Sequence, residues 1–193
     1  MLDPDQPLGS SFFNRPAEDV ARDLIGCHLV RRRCRRLFRY TITETEAYIG
    51  PSDLASHASR GRTTRTEPMF GPPGTLYVYL VYGSHWMLNV VTGPAGYPAA
   101  VLLRSVGGVR GPGRLTKALD VTGALNGRTA ALSSGIWFST GDQRVSHQII
   151  CTSRIGVNYA GPIWSTKPLR FVSRQKGEAE CEGRPTQTDV YPR

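Results

Sequence analysis

The chain has 193 residues, enough for one domain that buries a substantial core. Its composition, 39% hydrophobic with 21 glycines and 14 prolines, is that of a turn-rich globular protein, and no apolar run reaches the length of a membrane span. The formal charge of +9 and pI near 9.8 point to a polyanionic partner.

Of the 24 basic residues only Lys117, Lys167 and Lys176 are lysines, and the other 21 are arginines, whose flat fork suits phosphate. Met1–Asp5 lacks a charged-then-apolar signal segment, so a cytoplasmic location is expected. Cys27, Cys34, Cys151 and Cys181 have neither zinc-ligand nor disulfide-framework spacing and are expected to be reduced packing residues.

In chain order, residues 1–10 read as a loose lead-in. Asn14-Arg15-Pro16 then predicts a helix start: a capping Asn, an early Pro, and Glu18 and Asp19 in the first turn. Val20, Ala21, Leu24 and Ile25 form its apolar stripe, and Gly26 is expected to end it. Strands are predicted at 28–33, 37–48, 75–82, 86–92 and 99–106. Residues 50–74 have no periodicity and read as a long functional loop. A short helix over 114–119 and strands near 136–139, 148–157 and 169–173 complete the body, with a polar, loose end from about 175. The prediction is one mixed α+β domain, 1–193, around a curled, mostly antiparallel sheet without a helix-hairpin-helix.

Period-2 counting along 37–48 puts Glu44, Glu46 and Tyr48 on the side of Phe38, Tyr40 and Ile42, an otherwise apolar face. A carboxylate there is costly unless paired, so it asks for a chemical reason. The same alternation puts Arg104 with Ala100, Leu102 and Val106, where a carboxylate such as Glu46 would serve as its partner. Asn89 is likewise polar in an apolar strand, and the three together suggest a pocket. Tyr77 and Tyr79 share a face, while Tyr82 ends its strand before Gly83 and could wedge between bases; each tyrosine alone is better explained by packing. Asp53 and His57 read as a loop cap or a metal pair, and without a fuller ligand set no metal is expected. Arg60, Arg62 and Arg65 are a phosphate-contacting flank or a solvated basic loop.

These residues resemble a known family. Glu44-Thr-Glu-Ala-Tyr-Ile-Gly50, His57-Ala-Ser-Arg-Gly-Arg62, Pro73-Gly-Thr-Leu-Tyr-Val-Tyr-Leu-Val-Tyr-Gly83, Asn89 and Val101-Leu-Leu-Arg104 are similar to the alkyladenine (3-methyladenine) DNA glycosylases. Gly111-Pro-Gly-Arg-Leu-Thr-Lys-Ala-Leu119, Arg154-Ile-Gly-Val157 and Lys167-Pro-Leu-Arg-Phe171 extend the likeness over roughly 12–173. Arg65-Thr-Glu-Pro-Met-Phe70 departs from the pattern, in which an Asn usually follows the Arg.

The resemblance implies a cofactor-free, monofunctional enzyme that hydrolyses the N-glycosidic bond of alkylated or deaminated purines in double-stranded DNA. A monomer is the default expectation, at the nucleoid if the host is bacterial. Glu46 would be the catalytic base, Arg104 its water-positioning partner and the backbone carbonyl of Ile155 a third contact to that water. Tyr48, His57 and Tyr79 would wall the base pocket, Asn89 would discriminate against guanine, Tyr82 would be the wedge, and Arg60, Arg62 and Lys117 would contact DNA. An amine-using glycosylase or a non-enzymatic nucleic-acid-binding domain are the rival readings, and periodicity alone does not choose between Glu44 and Glu46.

Overall fold

A computed structural model describes residues 6–141 and 148–174. The lead-in is tied down as far as it is described: Pro7 bridges Ser139, and the Leu8 amide donates to the Phe138 carbonyl. Helix α1 (Ser10–Phe13) follows, one turn that the sequence reading missed. Asn14 closes that turn, its amide donating to Ser10, and does not cap the next helix. Helix α2 (Ala17–Asp23) has Pro16 at its N-cap position and stops before Gly26. Its Ala17, Val20 and Ala21 are buried, as the apolar stripe requires.

Strands β1 (His28–Arg33), β2 (Arg36–Tyr48), β3 (Leu76–Val81), β4 (His85–Thr92) and β5 (Ala99–Val106) occupy the predicted positions to within a residue or two. A two-residue β6 (Val109–Arg110), helix α3 (Pro112–Ala118), β7 (Ile136–Ser139), β8 (Gln148–Thr152), helix α4 (Gly161–Thr166) and β9 (Arg170–Arg174) follow. The strand expected over 148–157 ends at Thr152, because residues 153–160 turn sharply through a 3₁₀ segment, Asn158–Ala160, into α4. Residues 50–74 do lack strands and hold two 3₁₀ turns, His57–Arg60 and Glu67–Phe70. The expected loose end from 175 lies outside the described residues.

The nine described strands form one sheet: six follow the order β3-β4-β5-β2-β1-β7, while β6 pairs with β5, β9 with β2 and β8 with β9, and every pairing is antiparallel. Strand β2 is long enough to change partners along one edge: β1 pairs residues 36–41, then β9 pairs 44–46. The main core fills the face covered by α2 and α3, with Leu24, Leu29, Leu88, Leu103, Leu115 and Leu119 fully buried. Each such leucine contributes about 1.5–3 kcal/mol by leaving water. A smaller cluster of Ala58, Met69, Tyr77, Val91 and Ala100 lies on the opposite face, beneath the 50–74 loop.

One expectation about faces is wrong. Ile42, Thr45 and Ala47 all point into the main core, so the alternation breaks between 42 and 45. The ladder shows why: Ile42 faces Val106, Glu44 faces Ser105 and Thr45 faces Leu103, leaving Thr43 and Arg104 outside the paired positions. One irregularity on each strand cancels in register yet flips the phase of both. Glu44, Glu46 and Tyr48 therefore share a face with one another but not with Ile42. Arg104 likewise parts from Val106, which is in the core. The cysteine expectation also fails in part: Cys27 is half-buried, but Cys34 and Cys151 are exposed, and Cys181 lies outside the described residues.

Candidate active site

Strand register lines up the polar residues of the second face. Arg170 faces Glu46, Glu46 faces Leu102, Leu102 faces Asn89, and Asn89 faces Tyr77. Directly opposed residues in an antiparallel sheet point to the same side, so this row crosses five strands on one surface. The next row places Tyr48 opposite Ala100 and Ala100 opposite Val91.

Glu46 is wholly withdrawn from solvent (0% exposed). Its Oε1 accepts from the Ile155 amide at 2.8 Å and lies 3.2 Å from Arg104 Nη1; its Oε2 accepts from the Tyr48 hydroxyl at 3.1 Å. Burial pushes its pKa above the ordinary carboxylate range, and the opposing pulls of Arg104, the Ile155 amide and Tyr48 do not cancel it. Glu44 behaves oppositely. It accepts from Arg104 Nε (2.9 Å), Arg170 Nε (2.6 Å) and Ser105 Oγ (2.6 Å). Burial would raise its pKa too, but the bonds from Ser105 and Arg170 and the two guanidinium charges outweigh that and hold it low. Arg104 thus bridges two acids of unlike character.

A recess opens beside Glu46. Tyr48, His57, Tyr79 and Asn89 all line it, with Tyr77, Met69, Ala100 and Tyr159 completing its walls. The recess is narrow, with a cavity volume of about 40 Å³ between aromatic walls. His57 meets Tyr79 edge-on at 4.6 Å between ring centres, and Tyr77 lies 5.1 Å from Tyr79. His57 Nδ1 and the Tyr77 hydroxyl are 2.9 Å apart. Burial, helped by the nearby Arg65 and Arg60 charges, lowers the His57 pKa to about 4, so the ring is neutral at physiological pH. Burial likewise raises the Tyr48 and Tyr79 hydroxyls well above their usual value. Asn89 is buried, and its side-chain amide donates to the Tyr77 carbonyl at 3.0 Å, which fixes its orientation.

Asp53 has no part in a metal pair with His57. It is fully buried and grips Arg154 with both oxygens, at 2.5 and 2.8 Å, while accepting from the amides of Ile49 and Ala55. Among the described residues no group of three or more metal-capable side chains is assembled. Arg154 also donates to the Ala47 carbonyl and stacks over the Tyr48 ring at 4.7 Å. This clamp fixes the residue immediately before Ile155, and so fixes the amide that reaches Glu46. Ile155 therefore meets Glu46 through its amide, whereas the resemblance implied a role for its carbonyl.

The remaining candidates lie outside the recess. Tyr82 is 94% exposed at the β3–β4 turn, in the left-handed region at φ 50°. Arg60 and Lys117 are exposed. Arg62 is exposed too, but it forms a fork with Glu67 and lies over Phe70, so a phosphate would compete with a carboxylate for it. Arg65 sits over the Tyr79 ring at 5.4 Å.

Sequence reading did not single out Arg170, Arg154 or Tyr159. The signal for Arg170 was its place opposite Glu46, visible only once β9 is registered on β2. The Asp53–Arg154 clamp joins segments about a hundred residues apart and leaves no local signal.

Comparison with known proteins agrees with this geometry. Residues 11–109 and 107–177 match the sequence profile of methylpurine-DNA glycosylase. A Myxococcus xanthus protein is 47% identical over 175 residues, covering 85% of this chain and 88% of its own. Relatives in Methanocella arvoryzae (40% over 187 residues; 86% and 92%) and Legionella pneumophila (40% over 171; 85% and 92%) are similar at comparable length. All three bear a provisional 3-methyladenine DNA glycosylase name. With a family match that runs from α1 through β9 and a buried acid beside an aromatic recess, the chain belongs to the methylpurine-DNA glycosylase family.

Proposed function

We propose that this DNA glycosylase flips a methylated or deaminated purine from duplex DNA and hydrolyses its N-glycosidic bond with a water activated by Glu46, leaving an abasic site. The observation that carries this reading is the Glu46 carboxylate, sealed among Arg104, the Ile155 amide and Tyr48, the last of which also walls the aromatic recess.

A base within the stack is out of reach, so extrusion must come first, at a cost of a few kcal/mol. Tyr82 then fills the gap, a role supported by its bare projection from the turn. Stacking on Tyr48 and Tyr79 offsets about 1–3 kcal/mol per contact and favours electron-poor, cationic rings. Asn89, held by Tyr77, is the expected check on guanine's exocyclic amino group. A methylated purine already leaves well, so the protein supplies chiefly an oriented water. Glu46 takes that water's proton as the oxygen reaches C1′, and the carboxylate's charge stabilises the oxocarbenium-like state. Neutral purines such as hypoxanthine need protonation on leaving and are expected to react more slowly.

Two observations favour Glu46 over Glu44. A raised pKa makes a stronger base, and Glu44 is already saturated by two guanidinium groups and a hydroxyl. The described lysines also count against an amine nucleophile: Lys167 lies over Trp164 at 3.9 Å, and Lys117 is on the outside of α3.

The test is single-turnover release of 3-methyladenine from methylated duplex. Glu46→Gln should slow it by about 10²–10⁴-fold, and Glu44→Gln by less. Release near the wild-type rate from the Glu46 variant would overturn the water mechanism.

A further inference from the structure

The β1–β2 hairpin carries more positive charge than its fold needs. Residues 31–36 read Arg-Arg-Arg-Cys-Arg-Arg, and the turn at their centre holds Cys34 and Arg35 in the left-handed region, at φ 45° and 65°. The first three arginines are anchored, but chiefly to neutral carbonyls. Arg31 reaches Leu119, Gly135 and Asp120 carbonyl oxygens, Arg32 that of Leu132, and Arg33 that of Ala118. Among the described residues their carboxylate partner is Asp120, 3.7 Å from Arg33 with both side chains substantially exposed. Such anchoring holds guanidinium groups in place without neutralising them. Arg35 and Arg36 are exposed, and their side chains make no hydrogen bond or ion pair among the described residues.

Helix α3 connects this hairpin to the one that bears Tyr82. At one end Gly113 packs against the His85 ring, and Thr116 donates to the Trp86 carbonyl, both on the strand that leaves the Tyr82 turn. At the other end, the carbonyls of Ala118, Leu119 and Asp120 receive Arg33 and Arg31. The helix is seven residues, about 10 Å at ~1.5 Å per residue. Arg114 and Lys117 are exposed along it, and Arg110 just before it. A line of cations therefore runs from the wedge to the arginine hairpin.

We propose that α3 and the tip of the β1–β2 hairpin form an accessory phosphate track that holds the undamaged duplex arm beside the base step opened by Tyr82. This rests on the glycosylase reading and adds to it a second contact surface remote from the recess. Its ligand is the sugar-phosphate backbone, because spaced guanidinium groups with neutral neighbours read charge and not base edges. The track's length, on the order of 20 Å for helix plus tip, corresponds to about six base pairs at ~3.4 Å of rise.

The experiment measures binding of the full chain to lesion-bearing duplexes with arms of about 4 or about 15 base pairs, across salt concentrations. Each neutralised phosphate contributes roughly −0.9 to the slope of log affinity against log salt. With the long arms, Arg35→Glu/Arg36→Glu should reduce the steepness of that slope by about 1–2, and Arg35→Gln/Arg36→Gln by less, while with the short arms both slopes should stay near wild type. An unchanged slope on the long arms overturns the proposal. An equal loss on both lengths also overturns it, since that would be a diffuse charge effect. The glycosylase reading is scored separately, by the wild-type rate of base release at saturating DNA; its failure would leave the slopes to report the track alone.

Discussion

At the scale of single residues, the two acids of β2 show how neighbouring groups acquire different properties. Glu46 has a folded pKa above its unfolded value, so the folded state binds its proton more tightly. Wild type should then lose stability as pH rises through that pKa. Glu46→Gln does not titrate, so its melting temperature relative to wild type should climb over the same interval and then level off, as scanning calorimetry at several pH values would record. For Glu44 the sign reverses: its depressed pKa contributes stability present above the unfolded carboxylate value and lost as pH falls through the folded one. The acid limb of base release should follow Glu46 and lie above the ordinary carboxylate range. His57 gives a direct spectroscopic check. Its ring resonances should titrate near 4 and not near 6.5, because a charged ring among Tyr77, Tyr79 and two arginines is disfavoured. A midpoint near 6.5 would mean that the recess is wetter than its packing indicates.

Elements are where the sequence was most legible, and where its limits have identifiable causes. Apolar alternation located β1 through β5 because those strands cover a buried face, and the stripe Val20, Ala21, Leu24 located α2 for the same reason. The facing of Glu46 was not legible, since the break at Thr43 depends on a partner irregularity in another strand. Helix α4 and the turn before it were missed because residues 153–160 are placed by contacts with the 48–57 segment: Arg154 to Asp53, and Tyr159 to the Ala55 carbonyl. That dependence is testable. Removing one partner of a fully buried ion pair strands the other charge, so Asp53→Ala should cost about 3–5 kcal/mol in urea unfolding. It should also slow base release, because the Ile155 amide loses its support. Tyr82→Ala should separate the two effects. With its ring almost wholly in solvent, the change in stability should stay within about 0.5 kcal/mol, while release from duplex DNA falls markedly.

For the molecule as a whole, one curled sheet separates two tasks. The face under α2 and α3 carries the main core, and the opposite face carries the row of polar groups beneath the 50–74 loop. The charge of +9 acts over a longer range than either face. It should make encounter with duplex fall steeply between low and moderate salt, whereas base release from the saturated complex, proposed to depend on the buried Glu46 carboxylate, should change little. Stopped-flow association and single-turnover chemistry separate the two, and a chemical step as salt-sensitive as binding would contradict the division. The paired irregularity between β2 and β5 has an evolutionary corollary. An insertion or deletion confined to residues 42–45, or to 103–106, would misalign every rung on one side of it, and only a compensating change in the other strand would restore the alignment. Length variation among descendants of this gene should therefore collect in the 50–74 loop and spare these two short stretches.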